Sequence, residues 1–164
     1  MDDVDRRLLA LLQQDCTIAM ADLAAQVSLS ATPVWKRIQK LEQAGVITGR
    51  VALLDPASIG IGLVVFVAIE AAEHSPEWLS QFAAAMAAMP EVMDAYRMAG
   101  EVDYMLRVAV PDMAAFDSFY KRLIETVKLK NVTSRFAMER LKQTTAYPLD
   151  TAAFRDRRPA DAAG

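Results

Sequence analysis

The chain has 164 residues, room for one large or two small domains, and its 54% hydrophobic content is ample for packed cores, which excludes disorder for most of it. A formal net charge of -3 argues against a protein that coats nucleic acid by bulk electrostatics, and the single cysteine, Cys16, excludes an intrachain disulfide and paired CxxC zinc or redox signatures. No charged-then-apolar leader opens the sequence and the longest apolar run, residues 60–69, is too short to span a bilayer, so a cytoplasmic chain with no membrane partner is expected.

Residues 3–14 place Val4, Leu8, Leu11 and Leu12 on one side, the pattern of a helix that covers others. Asp15, Cys16 and Thr17 turn the chain, and Cys16 reads as a small core hydrophobe between helices. Residues 20–26 form a short helix with Leu23, Ala24 and Val27 inward, and Ser28 and Leu29 lead tightly into the next element. There, over residues 28–47, Val34, Ile38 and Leu41 share one narrow stripe, while Thr32, Lys36, Gln39, Lys40 and Gln43 lie opposite. Ser30 is placed to cap the first amides, Pro33 is tolerated in a first turn, and Gly45 supplies a left-handed stop. Trp35 falls on the flank and is expected to pack against the first helix or the DNA backbone rather than read a base.

Short helix, tight turn and capped basic helix is the order of a helix-turn-helix. Lys36, Arg37 and Lys40 against Glu42 leave this segment positive, and the amides between them can pair with base edges. The first 50 residues carry six acids and six bases, so the excess negative charge lies outside this head. Double-stranded DNA is the expected partner, with Ser30, Thr32, Pro33, Lys36, Arg37, Gln39, Lys40 and Gln43 at the contact.

Residues 46–56 alternate loosely and end at Pro56, an extended linker strand between two domains. Residues 62–71 are almost continuously apolar, as for a strand buried on both faces. A helix follows with Trp78, Phe82, Ala85 and Met89 at helical spacing, closed by Pro90. Residues 91–98 and 103–110 read as a hairpin turning at Ala99-Gly100-Glu101-Val102. A second helix, 112–127, carries Met113, Phe116, Tyr120, Leu123 and Val127, and a last strand over 131–141 alternates Val132, Ser134, Phe136 and Met138 against Thr133, Arg135, Ala137 and Glu139.

The order βαββαβ predicts a ferredoxin-like sandwich, so the chain is α+β: a winged-type helix-turn-helix over 1–48, a linker strand over 49–61, a ferredoxin-like domain over 62–149 and a disordered tail over 150–164. The first strand has no polar face to offer water, which predicts a second copy covering the sheet.

These pieces carry a family resemblance. DVDRRLLALLQQD, LSATPVWKRIQKLEQAGVI, the linker ending LLDP, PEV at 90–92, AGEVDYMLRV at 99–108 and VTSRFAME at 132–139 together resemble the feast/famine, leucine-responsive (Lrp/AsnC) regulators from residue 2 to about 149. The resemblance implies an amino-acid-responsive transcriptional regulator with no cofactor, an effector-binding second domain that dimerises through its sheets, and often assembly into octamers. Cys16 stands where a glycine is usual, Ser28 replaces a common turn glycine and Arg50 takes a place usually aromatic. The blocks QQDC, TPVWKRIQKLE, VALLDP, RMAGEVDYMLRV and FYKRL resemble the cysteine-responsive detoxification subgroup of enteric bacteria, which implies L-cysteine as effector.

By the same resemblance the effector lies near the Gly-x-x-Asp hairpin, matched by Gly100 and Asp103 with Glu101 and Tyr104 beside them, and near the last strand, matched by Thr133 and Ser134. The chemistry is suitable: a zwitterionic amino acid needs a carboxylate for its ammonium and hydroxyl or amide donors for its carboxylate. Read without the resemblance, Gly100 and Asp103 build a tight turn and Thr133 and Ser134 end a strand. Siroheme decarboxylases, enzymes on a similar two-domain architecture, and a stand-alone small-molecule sensor are the alternatives. Those enzymes lean on histidines, and the single His74 lies in a polar loop; no catalytic triad, metal-ligand cluster or phosphate-cradling glycine loop appears. A stand-alone sensor conflicts with the intact basic reading head.

Overall fold

A computed structural model describes residues 1–151. It divides into two compact units, Met1–Ala52 with residues 142–151, and Leu53–Leu141. In the first unit, α1 (Asp3–Gln14), α2 (Met20–Gln26) and α3 (Ala31–Gln43) close over Leu8, Leu23, Ala24, Val27, Val34 and Ile38, all buried. Val4, Leu11 and Leu12 pack half-buried against this cluster, as their spacing implied. Cys16 does not join it. The Oδ1 of Asp15 accepts both the amide and the hydroxyl of Thr17, at 2.8 and 2.6 Å, and this turn leaves Cys16 only half-buried outside the core.

Ser28 sits at φ 56°, a left-handed conformation that side chains rarely adopt and that explains why glycine suits this turn. Residues 48–55 form no strand: Val51, Leu53 and Leu54 are exposed, and a strand lacking a hydrogen-bonding neighbour has nothing to hold it. The extended linker strand expected here is therefore absent, and no wing strand follows α3 among these residues. Residues 142–149 cluster with the first unit by contact: the Tyr147 amide donates to Gln13 Oε1 at 2.7 Å and Gln13 Nε2 donates back to the Tyr147 carbonyl at 3.3 Å. Leu149–Thr151 make one 3-10 turn, and the remainder of the tail expected over 150–164 lies outside the described residues.

The second unit contains β1 (Leu63–Ala71), α4 (Pro76–Ala88), β2 (Val92–Arg97), β3 (Tyr104–Val110), α5 (Met113–Thr126) and β4 (Leu129–Phe136). Its antiparallel sheet runs β2-β3-β1-β4, the ferredoxin-like order expected of βαββαβ. Val65, Val67 and Ile69 of β1 and Leu106, Val108 and Val110 of β3 are wholly buried beneath the two helices. Ser75 caps α4 by accepting the Trp78 amide at 3.2 Å, and Trp78 stacks on Phe82 at 5.1 Å.

Within one chain β1 is covered on its helix-side face alone: on the outer face Phe66 is 40% exposed and only Ala68 is buried. Two expectations are corrected by packing. On α5 Met113 is exposed and the wholly buried Phe119 takes the central place, since the helix turns its Phe116-Phe119-Leu123 stripe to the sheet. β4 ends at Phe136, just before the Ala137 amide meets the Val64 carbonyl at 3.0 Å near the start of β1; beyond that point no neighbouring strand remains, and Met138 and Leu141 are exposed. No helix among the described residues is long and apolar enough to cross a membrane.

Candidate nucleic-acid interface and effector site

The reading head is built on α3. Its inner stripe, Val34, Ile38 and Leu41, is buried, which turns Thr32, Lys36, Lys40 and Gln43 outward; all four are exposed. Lys36 and Lys40 make no ion pair among the described residues, so both ammonium groups are open to an anionic partner. The stop is complete: at Gly45 (φ 67°) the amide donates to the Glu42 carbonyl and the Val46 amide to the Leu41 carbonyl, each at 2.9 Å, a Schellman closure. Ser30 occupies the N-cap position, but its side chain makes no capping bond, so its hydroxyl is open to an outside partner; Pro33 lies exposed in the first turn.

Arg37 is only half-exposed, its Nη1 donating to Asp2 Oδ2 and Asp5 Oδ1, both at 2.7 Å, at the start of α1. Trp35 is 52% exposed on the flank of α3. Gln39 is half-buried and donates to Glu42 Oε2 at 3.0 Å, while Arg50 holds the other oxygen at 2.7 Å. A shallow groove of about 370 Å³ lies beside this pair, lined by Glu42, Ile47, Thr48, Gly49 and Arg50. The sequence signals the Asp2-Asp5 pair only as a capping box, Asp-x-x-Asp before an apolar run, and carries no sign of its contact with Arg37.

In the second unit the Gly100 hairpin is built as a turn. Gly100 has φ 130°, which only glycine adopts freely. Asp103 ties the hairpin to the end of β1: its Oδ2 accepts the Ala71 amide at 2.8 Å, its own amide donates to the Ile69 carbonyl at 2.9 Å, and its carbonyl accepts the Met98 amide at 2.8 Å. His74 Nε2 stands 3.8 Å from Asp103 Oδ1, too far for a hydrogen bond. Glu101 is exposed at the tip. Tyr104 is core: 6% exposed, with its ring 4.5 Å from Phe82 and 5.7 Å from Trp78.

Thr133 and Ser134 point to opposite faces, as neighbouring strand residues must. Thr133 pairs with Ala68 on the outer face, and Ser134 with the buried Val67 on the helix side. Thr133 and Asp103 stand two strand spacings and about two residues apart, roughly 12 Å, beyond the reach of one small amino acid. Within one chain, then, the structure groups Gly100, Glu101 and Asp103 and leaves Thr133 apart. A second shallow groove, of about 270 Å³, lies between α5 and β4 and includes none of them.

Glu70 completes the polar edge nearby. It accepts Asn131 Nδ2 at 3.0 Å and Lys130 Nζ at 2.9 Å, and these partners hold its carboxyl below the usual glutamate range.

Residues 1–42 match the AsnC-type helix-turn-helix domain and residues 64–147 the Lrp/AsnC ligand binding domain. The DNA-binding transcriptional activator DecR of Escherichia coli is 52% identical over 92% of this chain and 99% of its own. A crystal structure of an AsnC family transcriptional regulator from Agrobacterium tumefaciens superposes with a TM-score of 0.89 at 55% identity, covering 92% of this chain and 98% of that one. A Neisseria meningitidis transcriptional regulator in complex with L-Met superposes at 0.87 with 31% identity over 92% of this chain and 97% of its own.

Proposed function

Because the chain belongs to the Lrp/AsnC family and is a DNA-binding, amino-acid-responsive transcriptional regulator rather than an enzyme, we propose how its two units divide that work. Lys36 and Lys40 contact phosphate or base edges in the major groove, with Thr32, Gln43 and the open hydroxyl of Ser30 completing the surface, Pro33 bordering it and Gln39 at its edge. The observation that carries this is the outward basic face of a helix closed at its C-terminal end over a buried stripe. The two ammonium groups supply position and salt dependence, while the amide and hydroxyl side chains are the types that discriminate bases. Gel shifts on DNA upstream of the chain's own gene, with and without amino acids, test it; no shift at low salt overturns it.

The effector is a small amino acid, L-cysteine by the subgroup resemblance, held against the Gly100–Asp103 turn with Glu101 beside its ammonium. Thr133 lies too far away within one chain, so it enters the site from a second copy, and Tyr104 and Ser134 shape the site from beneath the sheet rather than touching ligand. The open outer sheet face, with Phe66 and Tyr96 exposed, is covered in a homodimer that can build larger rings, octamers among them. Such a DNA-bound regulator with a free thiol works in the cytoplasm. A thermal-shift screen of the twenty amino acids tests the effector, since a ligand at one hundred times its dissociation constant stabilises by about 2.7 kcal/mol; a shift by another amino acid alone overturns cysteine but not the regulator.

A further inference from the structure

The carboxylates of Asp2 and Asp5 are each divided between two tasks. In a reciprocal capping box, Asp2 Oδ1 accepts the Asp5 amide at 2.9 Å and Asp5 Oδ2 accepts the Asp2 amide at 3.1 Å. The remaining oxygens, Asp2 Oδ2 and Asp5 Oδ1, both accept from Nη1 of Arg37. One guanidinium nitrogen thus directs both its hydrogens to one helix terminus, and the first turn of α1 cannot rotate against α3 without breaking a charge-assisted bond. The arrangement has some shelter, since the Asp5 side chain is only 15% exposed and that of Arg37 33%. Arg7 adds a second tie, its Nη2 donating to the Gln26 carbonyl at the end of α2 at 2.7 Å.

We propose that Arg37 is a positioning residue of the DNA-reading surface: it sets the rotation of α3 through Asp2 and Asp5 and does not itself contact DNA. This rests on the reading of α3 as the element that meets DNA. One helical step from Lys36, a residue on α3 controls which way the Lys36, Lys40 and Gln43 face points. Ile38 and Leu41 hold the helix in the core, but apolar contacts are non-directional, and the ion pairs supply the angular restraint they lack.

The proposal has an unusual sign. Removing an acidic charge near a DNA surface strengthens binding if only the field matters, whereas here Asp5→Asn weakens specific binding. Affinity is measured by fluorescence anisotropy on the upstream DNA fragment and on a scrambled duplex, across a salt series, at a temperature where circular dichroism shows every variant folded. Expected are losses of at least about threefold in specific affinity for Asp5→Asn and Arg37→Lys, scrambled binding not weakened, an unchanged salt slope, and a double variant no worse than the weaker single. Lys36→Ala serves as the reference, losing affinity for both duplexes and lowering the slope.

A slope falling by about one in Arg37→Ala means a phosphate contact and overturns the proposal. So does tighter or unchanged specific binding in Asp5→Asn with only the melting temperature lowered, which assigns the cluster to stability alone. Failure of Lys36→Ala to weaken either duplex instead removes the reading of α3 on which the proposal stands.

Discussion

Replacing Asp103 separates a ligand group from a structural tie. Its carboxylate accepts the amide of the buried Ala71 at 2.8 Å across a sequence separation of 32 residues, joining the hairpin to the last residue of β1. Asp103→Ala removes a hydrogen bond to a charged group and leaves that amide without its acceptor, a cost of about 1.5–3 kcal/mol. For a chain of this length each kcal/mol moves the melting temperature by about 2–4 °C, so a fall of roughly 3–12 °C is expected. Asp103→Asn keeps a carbonyl acceptor in the same place and is expected to lose less than half as much. The assay is differential scanning calorimetry of the full chain with each variant, followed by gel shifts with and without amino acid. Loss of the amino-acid response in both variants, with Asn nearly as stable as the parent, assigns the charge to the ligand. A melting temperature for Asp103→Ala equal to that of the parent refutes the structural reasoning, because the Ala71 amide then has no need of its partner.

Trp35 and Trp78 report separately on the two units. Trp35 is 52% exposed and Trp78 only 3%, so in Trp78→Phe protein the emission is quenched by iodide and changes when DNA binds, whereas Trp35→Phe protein shows neither response. Lys40→Ala weakens DNA binding and lowers the slope of log affinity against log salt by about one, read by anisotropy over a salt series. If a second copy covers the open sheet face, light scattering gives a dimer for the parent and a monomer for Phe66→Glu, which places a charge there; a monomeric parent or an unchanged mass refutes the sheet-to-sheet cover. Asp2 has its pKa lowered by the Asp5 amide and then by Arg37. Its stabilisation is therefore present above the ordinary aspartate pKa of about 3.9 and lost as pH falls through the lowered value, so Asp2→Asn melts below the parent at pH 7 and the difference closes as pH falls through that lowered value.

Local order was legible in the sequence. The bounds of α1 and α2 follow from side-chain period and turn residues, as do the buried stripe Val34-Ile38-Leu41 and the left-handed stop at Gly45, because each depends on residues within a turn or two of one another. The βαββαβ order follows from where period 2 gives way to period 3.6, and the outward position of Lys36 and Lys40 from the geometry of one helix.

What tertiary structure alone decided are relations across long separations. Arg37 reads in the sequence as one more basic residue of its helix, and only the fold brings Asp2 and Asp5, 35 and 32 residues away, to its guanidinium. Tyr104 belongs to the core because α4 lays Trp78 and Phe82 over β3, and residues 142–149 join the first unit because Gln13 meets Tyr147. Thr133 and Ser134 are adjacent in sequence yet on opposite faces, and the register with Ala68 and Val67 decides which face is which. Residues 48–55 have the composition of a strand, but a strand exists only where a neighbour accepts its hydrogen bonds, and none among the described residues of one chain pairs with them.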